Sequence, residues 1–327
     1  MTGLTSLTVN HGARATRILG TGSFQPDNIV TNDDLAKIMD TSDEWIRDRV
    51  GIIERRAAGP DDRLVDFAAS AGSKAIADSG IEPSDIDTVI VATCTMPNQI
   101  PNASARVADM VGIKGAGAFD LNAACAGFCY AIGTASDLVR AGSAKRVLVV
   151  GAERFADWVE PTDRANAIIF ADGAGAVVVG PSDEAAIGPV SWGSAGDLAD
   201  VIYMRENKWI YQEGQSVFRW ATTQVAPIAL RALELTGLKP SDVDVLIPHQ
   251  ANLRIVHAIA KKLRAEGARD DMVVADDIVY SGNTSSASIP MALDHMRTAG
   301  RVHSGDVLLL VGFGAGLSYA AQVVISP

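Results

Sequence analysis

The segment Leu121-Asn122-Ala123-Ala124-Cys125-Ala126-Gly127-Phe128 sets one thiol among small side chains, just after the apolar run at residues 116–121 and at the start of a helical stretch reaching about residue 140. Nucleophilic chemistry suits that place. The first turn of a helix offers backbone N–H groups without intrahelical acceptors and the positive end of the dipole. Both favour the thiolate, which is the reactive form, and lower the pKa from its free value of about 8.5. Ala123, Ala124, Ala126 and Gly127 leave room for a substrate carbonyl to reach the sulfur. A packed core cysteine fits the segment equally well, since free cysteine is among the most buried residue types.

An internal repeat shows what must position such a thiol. Ser79-Gly80-Ile81-Glu82-Pro83-Ser84-Asp85-Ile86-Asp87-Thr88-Val89-Ile90 returns as Thr236-Gly237-Leu238-Lys239-Pro240-Ser241-Asp242-Val243-Asp244-Val245-Leu246-Ile247, displaced by 157 residues from Pro83 to Pro240. Each copy reads as helix end, turn and buried strand, and each follows a helical stretch, at residues 64–78 and 222–235. Ala141-Gly142 and Ala299-Gly300 repeat at nearly the same displacement, ahead of apolar strands at 147–151 and 307–312. The chain is thus two copies of one α/β unit. In this register Cys125 pairs with Asn283, 158 residues on, within Tyr280-Ser281-Gly282-Asn283-Thr284-Ser285-Ser286. The strand end Ala92-Thr93 pairs with Pro248-His249-Gln250-Ala251-Asn252. Equivalent loops of two related halves meet near their pseudo-twofold axis, so duplication alone predicts that Cys125, His249 and Asn283 converge.

With these residues in place, the chain resembles the β-ketoacyl-acyl-carrier-protein synthase III family, condensing enzymes of the thiolase fold. Five motifs carry the resemblance, in order, from about residue 17 to the last strand. They are Thr41-Ser42-Asp43-Glu44-Trp45-Ile46, Ala124-Cys125-Ala126-Gly127-Phe128, Pro248-His249-Gln250-Ala251-Asn252-Leu253-Arg254-Ile255, Gly282-Asn283-Thr284-Ser285 and Gly312-Phe313-Gly314-Ala315-Gly316. The resemblance implies an α/β, thiolase-like fold whose duplicated halves form a five-layer α-β-α-β-α core. The first half, residues 1–180, carries the nucleophile, and the second, 181–327, carries the His and Asn. It implies an acyltransferase that starts fatty acid synthesis by condensing an acyl-CoA primer with malonyl-acyl carrier protein through an acyl-cysteine, with loss of CO2.

The residue types fit that chemistry. Attack of Cys125 on a thioester creates an oxyanion that needs preorganised donors. The candidates are the backbone N–H of Cys125 and, by position, that of Ala315, where relatives often carry Gly. Decarboxylation generates its own carbanion, so the second step needs donors to the malonyl thioester oxygen rather than a strong base. A neutral His249 Nε2–H and the Asn283 amide can supply them. The resemblance further implies that Trp45 and Arg164 sandwich the adenine of coenzyme A, a role suited to their stacking faces. It implies that Arg49, Gly214, Phe218 and Asn252 line the pantetheine channel, and that Ile100 reaches into the acyl pocket of the partner in a homodimer. Ile is larger than Thr and smaller than Phe, the kinds found there in relatives with long and short primers, which implies short to medium acyl groups. Residues 201–211 are shorter than the matching loop of most relatives, which leaves the coenzyme A contacts and the primer open.

Composition sets bounds. The 327 residues suggest about two domains at ~150 residues each, and 48% hydrophobic residues supply a buried, mostly parallel sheet system. Three cysteines cannot make a disulfide framework, so the expected home is the reducing cytoplasm. The start of the chain shows no secretory pattern, and about the first 15 residues read as a loose extension. A net charge of −11 argues against nucleic acid. Against that charge, Arg254, Lys261 and Lys262 share one helical face with Arg264 nearby. Such a face is commonly just solvated, but the resemblance implies that it receives the acidic carrier protein.

Other motifs fail on context. Gly312-x-Gly314-x-Gly316 is followed by a strand where a dinucleotide loop needs a helix. Residues 307–325 lack charge, but these glycines break them into two buried strands rather than a membrane span. Asp172-Gly173-Ala174-Gly175-Ala176 reads as a turn joining strands. No metal-ligand spacing occurs, since Cys125 and Cys129 lack companions. Cys129 reads as packing one turn below Cys125, and no cofactor beyond the thioester substrates is expected. Of the histidines only His249 ends a strand beside a matched motif; His257, His295 and His303 are in polar contexts and His11 is in the extension. The competing functions are a priming ketosynthase or an acyltransferase of a polyketide pathway, a cysteine hydrolase, and an inactive partner subunit. The complete Cys-His-Asn set favours condensation.

Overall fold

The computed structural model describes residues 11–206 and 208–327. Residues 1–10 of the expected extension lie outside the described residues, and the first strand already starts at Ala15.

The repeated stretch folds alike in both copies for the same local reasons. Helices Leu64–Ser79 and Gly214–Thr236 end at Gly80 and Gly237, whose φ angles of 65° and 74° are left-handed. That conformation costs a residue without Cβ nothing extra. Each Pro-Ser-Asp then makes a single 3-10 turn, Pro83–Asp85 or Pro240–Asp242, with proline at its start. The strands Thr88–Ala92 and Val245–Pro248 follow, and every residue in them is buried. The second helix starts ahead of the expected residue 222, because Val217, Phe218 and Ala221 extend the stripe of Val225 and Ala229 at helical spacing.

Two five-stranded sheets result. The first runs Ala15–Phe24, Gly173–Ser182, Val147–Glu153, Thr88–Ala92, Gly117–Leu121. The second runs Ser191–Ser194, Ser318–Ile325, Val307–Phe313, Val245–Pro248, Val273–Val274, which is the same order of equivalents. In each sheet the last three strands are parallel, as crossover helices require. Helices Gly127–Ala141 and Ser288–Thr298 lie between the sheets, burying Phe128, Ile132, Val139, Ile289 and Leu293 against both. Leu64–Ser79 and Ala103–Met110 cover the outer face of the first sheet. Gly214–Thr236 and Leu253–Ala265 cover that of the second. The layers are therefore α-β-α-β-α. Each large apolar side chain fully buried here contributes roughly 1.5–3 kcal/mol.

One expected correspondence shifts. A 3-10 turn precedes each central helix, Ala124–Ala126 in the first half and Ser285–Ala287 in the second. Ala124 and Ser285, the first residues of the two turns, both take a left-handed φ, 45° and 49°. Cys125 therefore corresponds to Ser286, 161 residues on, and not to Asn283. The cause is length: the second helix has 11 residues against 15, while both helices close at the repeated glycines Gly142 and Gly300. The missing turn places Asn283 just ahead of the 3-10 turn rather than inside it. Each turn nests on the other half's central strand. A Cβ on Gly151 would lie 2.4 Å from Ser286 O, and one on Gly312 would lie 3.0 Å from Ala126 Cα.

A second correction concerns residues 172–176, which are not a turn. Gly173–Ser182 is a ten-residue strand. Its glycines serve close approach, since a Cβ on Gly175 would lie 2.5 Å from Met291 N in the central helix. The uncharged stretch does form two antiparallel strands, Val307–Phe313 and Ser318–Ile325, joined by the turn Ala315–Leu317. Among the described residues no helix is long and apolar enough to cross a membrane.

Candidate active site

A cavity of about 980 Å³ opens between the two halves, and Cys125, His249 and Asn283 all line it, with Ala315 beside them. Different local devices deliver each side chain. Cys125 sits inside the 3-10 turn whose first residue, Ala124, gives its N–H to Asn122 Oδ1 at 3.1 Å. The strand end opposite makes room, because a Cβ on Gly314 would stand 3.0 Å from the Cys125 sulfur. Among the described residues the N–H groups of Cys125 and Ala315 are taken by no other residue's acceptor. Both remain available to an oxyanion.

His249 follows the strand Val245–Pro248, and its N–H bonds Val311 O at 2.8 Å. Its ring meets Phe313 edge-on, with centroids 5.4 Å apart. Ser288 Oγ lies 2.7 Å from Nδ1 and accepts the Gln250 N–H at 3.3 Å. The hydroxyl proton is free to go to Nδ1, an arrangement that leaves the ring proton on Nε2. Burial pushes the His249 pKa down to about 3, so the ring is neutral at any working pH. Asn283 is pinned by its backbone to residues 169–171, bonding Ile169 O at 2.9 Å and Ala171 N at 3.0 Å. Its Oδ1 accepts the Ser285 N–H at 2.8 Å, leaving the amide N–H₂ as the free end. Two neutral donors thus face a cavity that also holds the thiol.

The thiol itself departs from expectation. Burial pushes Cys125 up to about 12, and a hydrogen bond from Ser285 works against this. The favourable field at the helix start is outweighed by removing the thiolate from water. Cys129 is fully buried and likewise raised to about 12 by burial, in keeping with a packing role.

Three neighbours were invisible in the sequence reading, while Ser285 stood in the Gly282-Asn283-Thr284-Ser285 motif without a role of its own. Ser288 holds His249, but an isolated serine carries no signal. Cys94 lines the cavity too, and burial raises its thiol well above the usual value. Glu153 is fully buried beneath it, collecting hydrogen bonds from Thr95 Oγ1 at 2.6 Å and Cys94 N at 3.1 Å. Its one signal was a lone acid closing the apolar strand Val147–Glu153.

Farther out, Trp45 stands on helix Asp43–Val50, capped by Ser42 Oγ at 3.1 Å from Trp45 N. The Arg164 guanidinium lies 4.7 Å from the Trp45 ring centre and that of Arg49 lies 5.3 Å away. A purine between Trp45 and Arg164 needs about 7 Å, two contact distances, so Arg164 must swing out to admit one. Asn252 is already spent: Oδ1 caps helix Leu253–Ala265 and Nδ2 bonds Arg49 O at 3.2 Å. Gly214 and Phe218 line the cavity, and Arg254 lies over the Phe218 ring at 5.3 Å. Arg219, which sequence reasoning missed, lines it as well. The chain holds 39 acidic residues, yet among the described residues none lines this cavity. Residues 201–211 overlap the ribbon of strands Ile202–Arg205 and Trp209–Gln212, which begins at 202, runs one residue past 211 and is tied to Trp158 O through Ile210 N at 2.8 Å.

Arg254, Lys261 and Lys262 are exposed on helix Leu253–Ala265, with His257 between them on the same side. Arg264 is not part of this face: it turns inward and bonds Met272 O at 3.2 Å. Ile100 lies outside this chain's own cavity and is 87% exposed. No group of three or more His, Cys, Asp or Glu among the described residues could hold a metal.

Comparison with known proteins gives this geometry a family. Residues 119–196 match the family described as 3-oxoacyl-[acyl-carrier-protein (ACP)] synthase III, and residues 233–325 match its C-terminal part. A β-ketoacyl-[acyl-carrier-protein] synthase III of Streptomyces coelicolor is 50% identical over 318 residues, covering 96% of this chain and 99% of that one. The chain belongs to the β-ketoacyl-acyl-carrier-protein synthase III family. A mycobacterial synthase III of Mycobacterium avium shares 46% identity, covering 95% of each chain. Among solved structures, the priming β-ketosynthase of the R1128 polyketide pathway superimposes with a TM-score of 0.94 at 40% identity, covering 99% of each chain. The synthase III of Aquifex aeolicus gives 0.90 at 38%, covering 95% of this chain and all of that one. As a member of this family the chain is an acyltransferase-type condensing enzyme with the thiolase fold.

Proposed function

We propose that Cys125, His249 and Asn283 carry out both halves of a decarboxylating condensation between an acyl-CoA and malonyl-acyl carrier protein. The observation that carries this is their convergence on one acid-free cavity, with both partner groups neutral hydrogen-bond donors. In the first half-reaction the Cys125 sulfur attacks the thioester carbonyl, and the Cys125 and Ala315 N–H groups hold the oxyanion. The carbon–sulfur bond to coenzyme A breaks and the thiol proton passes to the departing coenzyme A sulfur, so no net base is consumed. In the second, malonyl thioester loses CO2 while His249 Nε2–H and the Asn283 amide stabilise the enolate oxygen. The carbanion attacks the acyl-cysteine, and Cys125 leaves as thiolate and takes a solvent proton. Its raised pKa makes it readily reprotonated. His249 held neutral serves as donor, not base, and an amide belongs beside it for the same reason.

The Trp45 and Arg164 faces are proposed to take the adenine, with Arg49, Gly214, Phe218, Asn252 and Arg219 along the passage to Cys125. Arg49 and Arg219, which pair with no carboxylate among the described residues, suit the phosphates. Exposed Ile100 fits a homodimer in which it closes the partner's acyl pocket, and the halves 1–180 and 181–327 are proposed as the structural units. No metal or cofactor is needed, and a cytoplasmic setting fits the three free cysteines.

A second reading keeps the chemistry and changes the primer, since the R1128 relative is a priming β-ketosynthase of a polyketide pathway. One experiment tests the site and sorts the primers: intact-mass measurement after incubation with mixed acyl-CoAs. One acyl group on wild type, none on Cys125→Ala, and retention in Cys129→Ala and Cys94→Ala is expected. An acyl group on Cys94 or Cys129 overturns the assignment, and the mass retained names the primer.

A further inference from the structure

Glu153 is a buried carboxyl group that the condensation does not use. It closes the strand Val147–Glu153 and is wholly inaccessible. Its two oxygens have different surroundings. Oε2 faces donors from residues 93–95: Thr95 Oγ1 at 2.6 Å, Cys94 N at 3.1 Å and Thr93 Oγ1 at 3.2 Å. Oε1 faces the 3-10 turn of the other half, 2.7 Å from Ser286 Oγ and 3.1 Å from Ser285 Oγ. Cys94 Sγ also lies 3.4 Å from Oε1, and the Cys94 N–H, closer to Oε2, reaches Oε1 at 3.3 Å.

The proton count around Ser286 is decisive. Ser286 Oγ lies 2.8 Å from Ala92 O as well as 2.7 Å from Glu153 Oε1. A hydroxyl has one proton and a peptide carbonyl has none. If Ser286 gives its proton to Ala92 O, the contact with Glu153 needs a proton from the acid. If it gives its proton to Glu153, two lone-pair oxygens face each other at the Ala92 contact. Only a protonated Oε1 satisfies both contacts.

Charge points the same way. Among the described residues no Lys, Arg or His nitrogen lies within 4.0 Å of Glu153. The titratable groups facing it are the thiols of Cys94 and Cys125. Arg154, next in the chain, turns away to Gly59 O and Asp157. An isolated buried carboxylate is costly, and such groups neutralise instead. Burial accordingly raises the Glu153 pKa.

We propose that Glu153 is a positioning residue held as a neutral carboxylic acid, clamping the Ser285–Ala287 turn to residues 93–95. Oε1–H donates to Ser286 Oγ while Oε2 collects the first-half donors. The turn so held follows Asn283 after one residue, Thr284, and Ser285 N–H fixes the Asn283 amide. The acid therefore ties the Asn283 side of the site to residues 93–95 of the first half, and it does so without placing a negative charge beneath the Cys125 thiolate. Its counterpart in the second half, by the same displacement of 161, is Gly314. Its link to catalysis rests on Cys125 as the acylated thiol, but its protonation state does not.

Two measurements test this. Infrared spectroscopy of the wild-type protein at pH 8 should show the C=O stretch of a protonated carboxylic acid, absent from Glu153→Gln. Asp172, the other buried acid, is raised only to about 6 and is ionised at that pH. Mass-resolved alkylation of Cys125 by iodoacetamide, followed from pH 6 to 10, is the second. Gln keeps a donor toward Ser286 and an acceptor toward Thr95, so Glu153→Gln should alkylate and turn over within about twofold of wild type. Glu153→Ala should lower kcat about tenfold or more with little change in the acyl-CoA KM. Removing an ionised neighbour would move the Glu153→Gln alkylation profile to lower pH by about one unit or more. That shift, or a missing acid band in wild type, overturns the proposal. Failed acylation of Cys125 in wild type would instead sink the proposed function and leave the infrared result standing.

Discussion

A Cβ placed on Gly314 would stand 2.7 Å from the Cys125 Cβ and 3.0 Å from both its nitrogen and its sulfur. Gly314 is in extended backbone, with φ at −179°, so conformational freedom is not what requires glycine there. Close approach is. A methyl group would press on the nucleophile and on one of the two N–H groups offered to the oxyanion.

Gly314→Ala should therefore cut Cys125 acylation by on the order of 10²-fold, the scale of losing an oxyanion donor, and cost about 1–3 kcal/mol of stability from overpacking. Single-turnover acylation and thermal melting separate the two effects. Normal acylation would show that the turn relaxes and that the Ala315 N–H does not depend on this fit.

Asn283 should divide the half-reactions. With Oδ1 held by Ser285 N–H, only its amide donor is free, and acylation makes no use of it. Asn283→Ala should slow malonyl decarboxylation by roughly 10²–10³-fold while acyl-enzyme still forms. Equal loss in both steps, read by CO2 release and intact mass, would make Asn283 a structural residue.

The neutral His249 also has a pH consequence. Its pKa is pushed down from 6.5 to about 3 by burial, so between those values the unfolded chain binds a proton that the folded one does not. Stability then rises with pH across this window and is lost as pH falls from about 6.5 toward 3, by up to roughly 5 kcal/mol. Asp172 acts oppositely. Raised from 3.8 to about 6 by burial, it adds stability as pH falls through 6. Comparing wild type with His249→Asn isolates the first effect: the variant should lose less stability in urea melts between pH 7 and pH 4. Parallel curves would mean that His249 is protonated in the folded protein.

Much of this was legible in the sequence because duplication writes itself twice. The Gly-x-x-Pro-Ser-Asp of residues 80–85 and 237–242 fixed helix ends, turns and strands in both halves, since a left-handed glycine and a proline at the first position of a turn act locally. The placement of Asn283 was right for an incomplete reason. It reaches the cavity by bonding residues 169–171, whereas the true counterpart of Cys125 is Ser286, hidden by a helix one turn shorter. The thiol's raised pKa and the buried Glu153 were beyond reach, because burial is a property of the assembled halves. Likewise Gly173 and Gly175 look like turn glycines until Pro290 and Met291 pack against them.

The exposed basic face of Arg254, Lys261 and Lys262 should set the rate at which a carrier protein arrives. None of the three pairs with a carboxylate among the described residues, and Arg254 also borders the cavity. At 1.5 Å of rise per residue, Lys261 lies about 10 Å along the helix from Arg254, so the patch leads away from the opening. The chain carries a net charge of −11, and an acidic partner needs a local positive surface to dock against that background. Rim charges act mainly on association and its salt dependence. Reversing Lys261 and Lys262 to Glu should raise the KM for malonyl-acyl carrier protein about tenfold or more at low ionic strength and flatten its salt dependence. Acylation of Cys125 by a small acyl-CoA should change far less, because neither lysine lines the cavity. Unchanged carrier-protein kinetics at low salt would reduce this face to a solvated one and move the docking surface elsewhere.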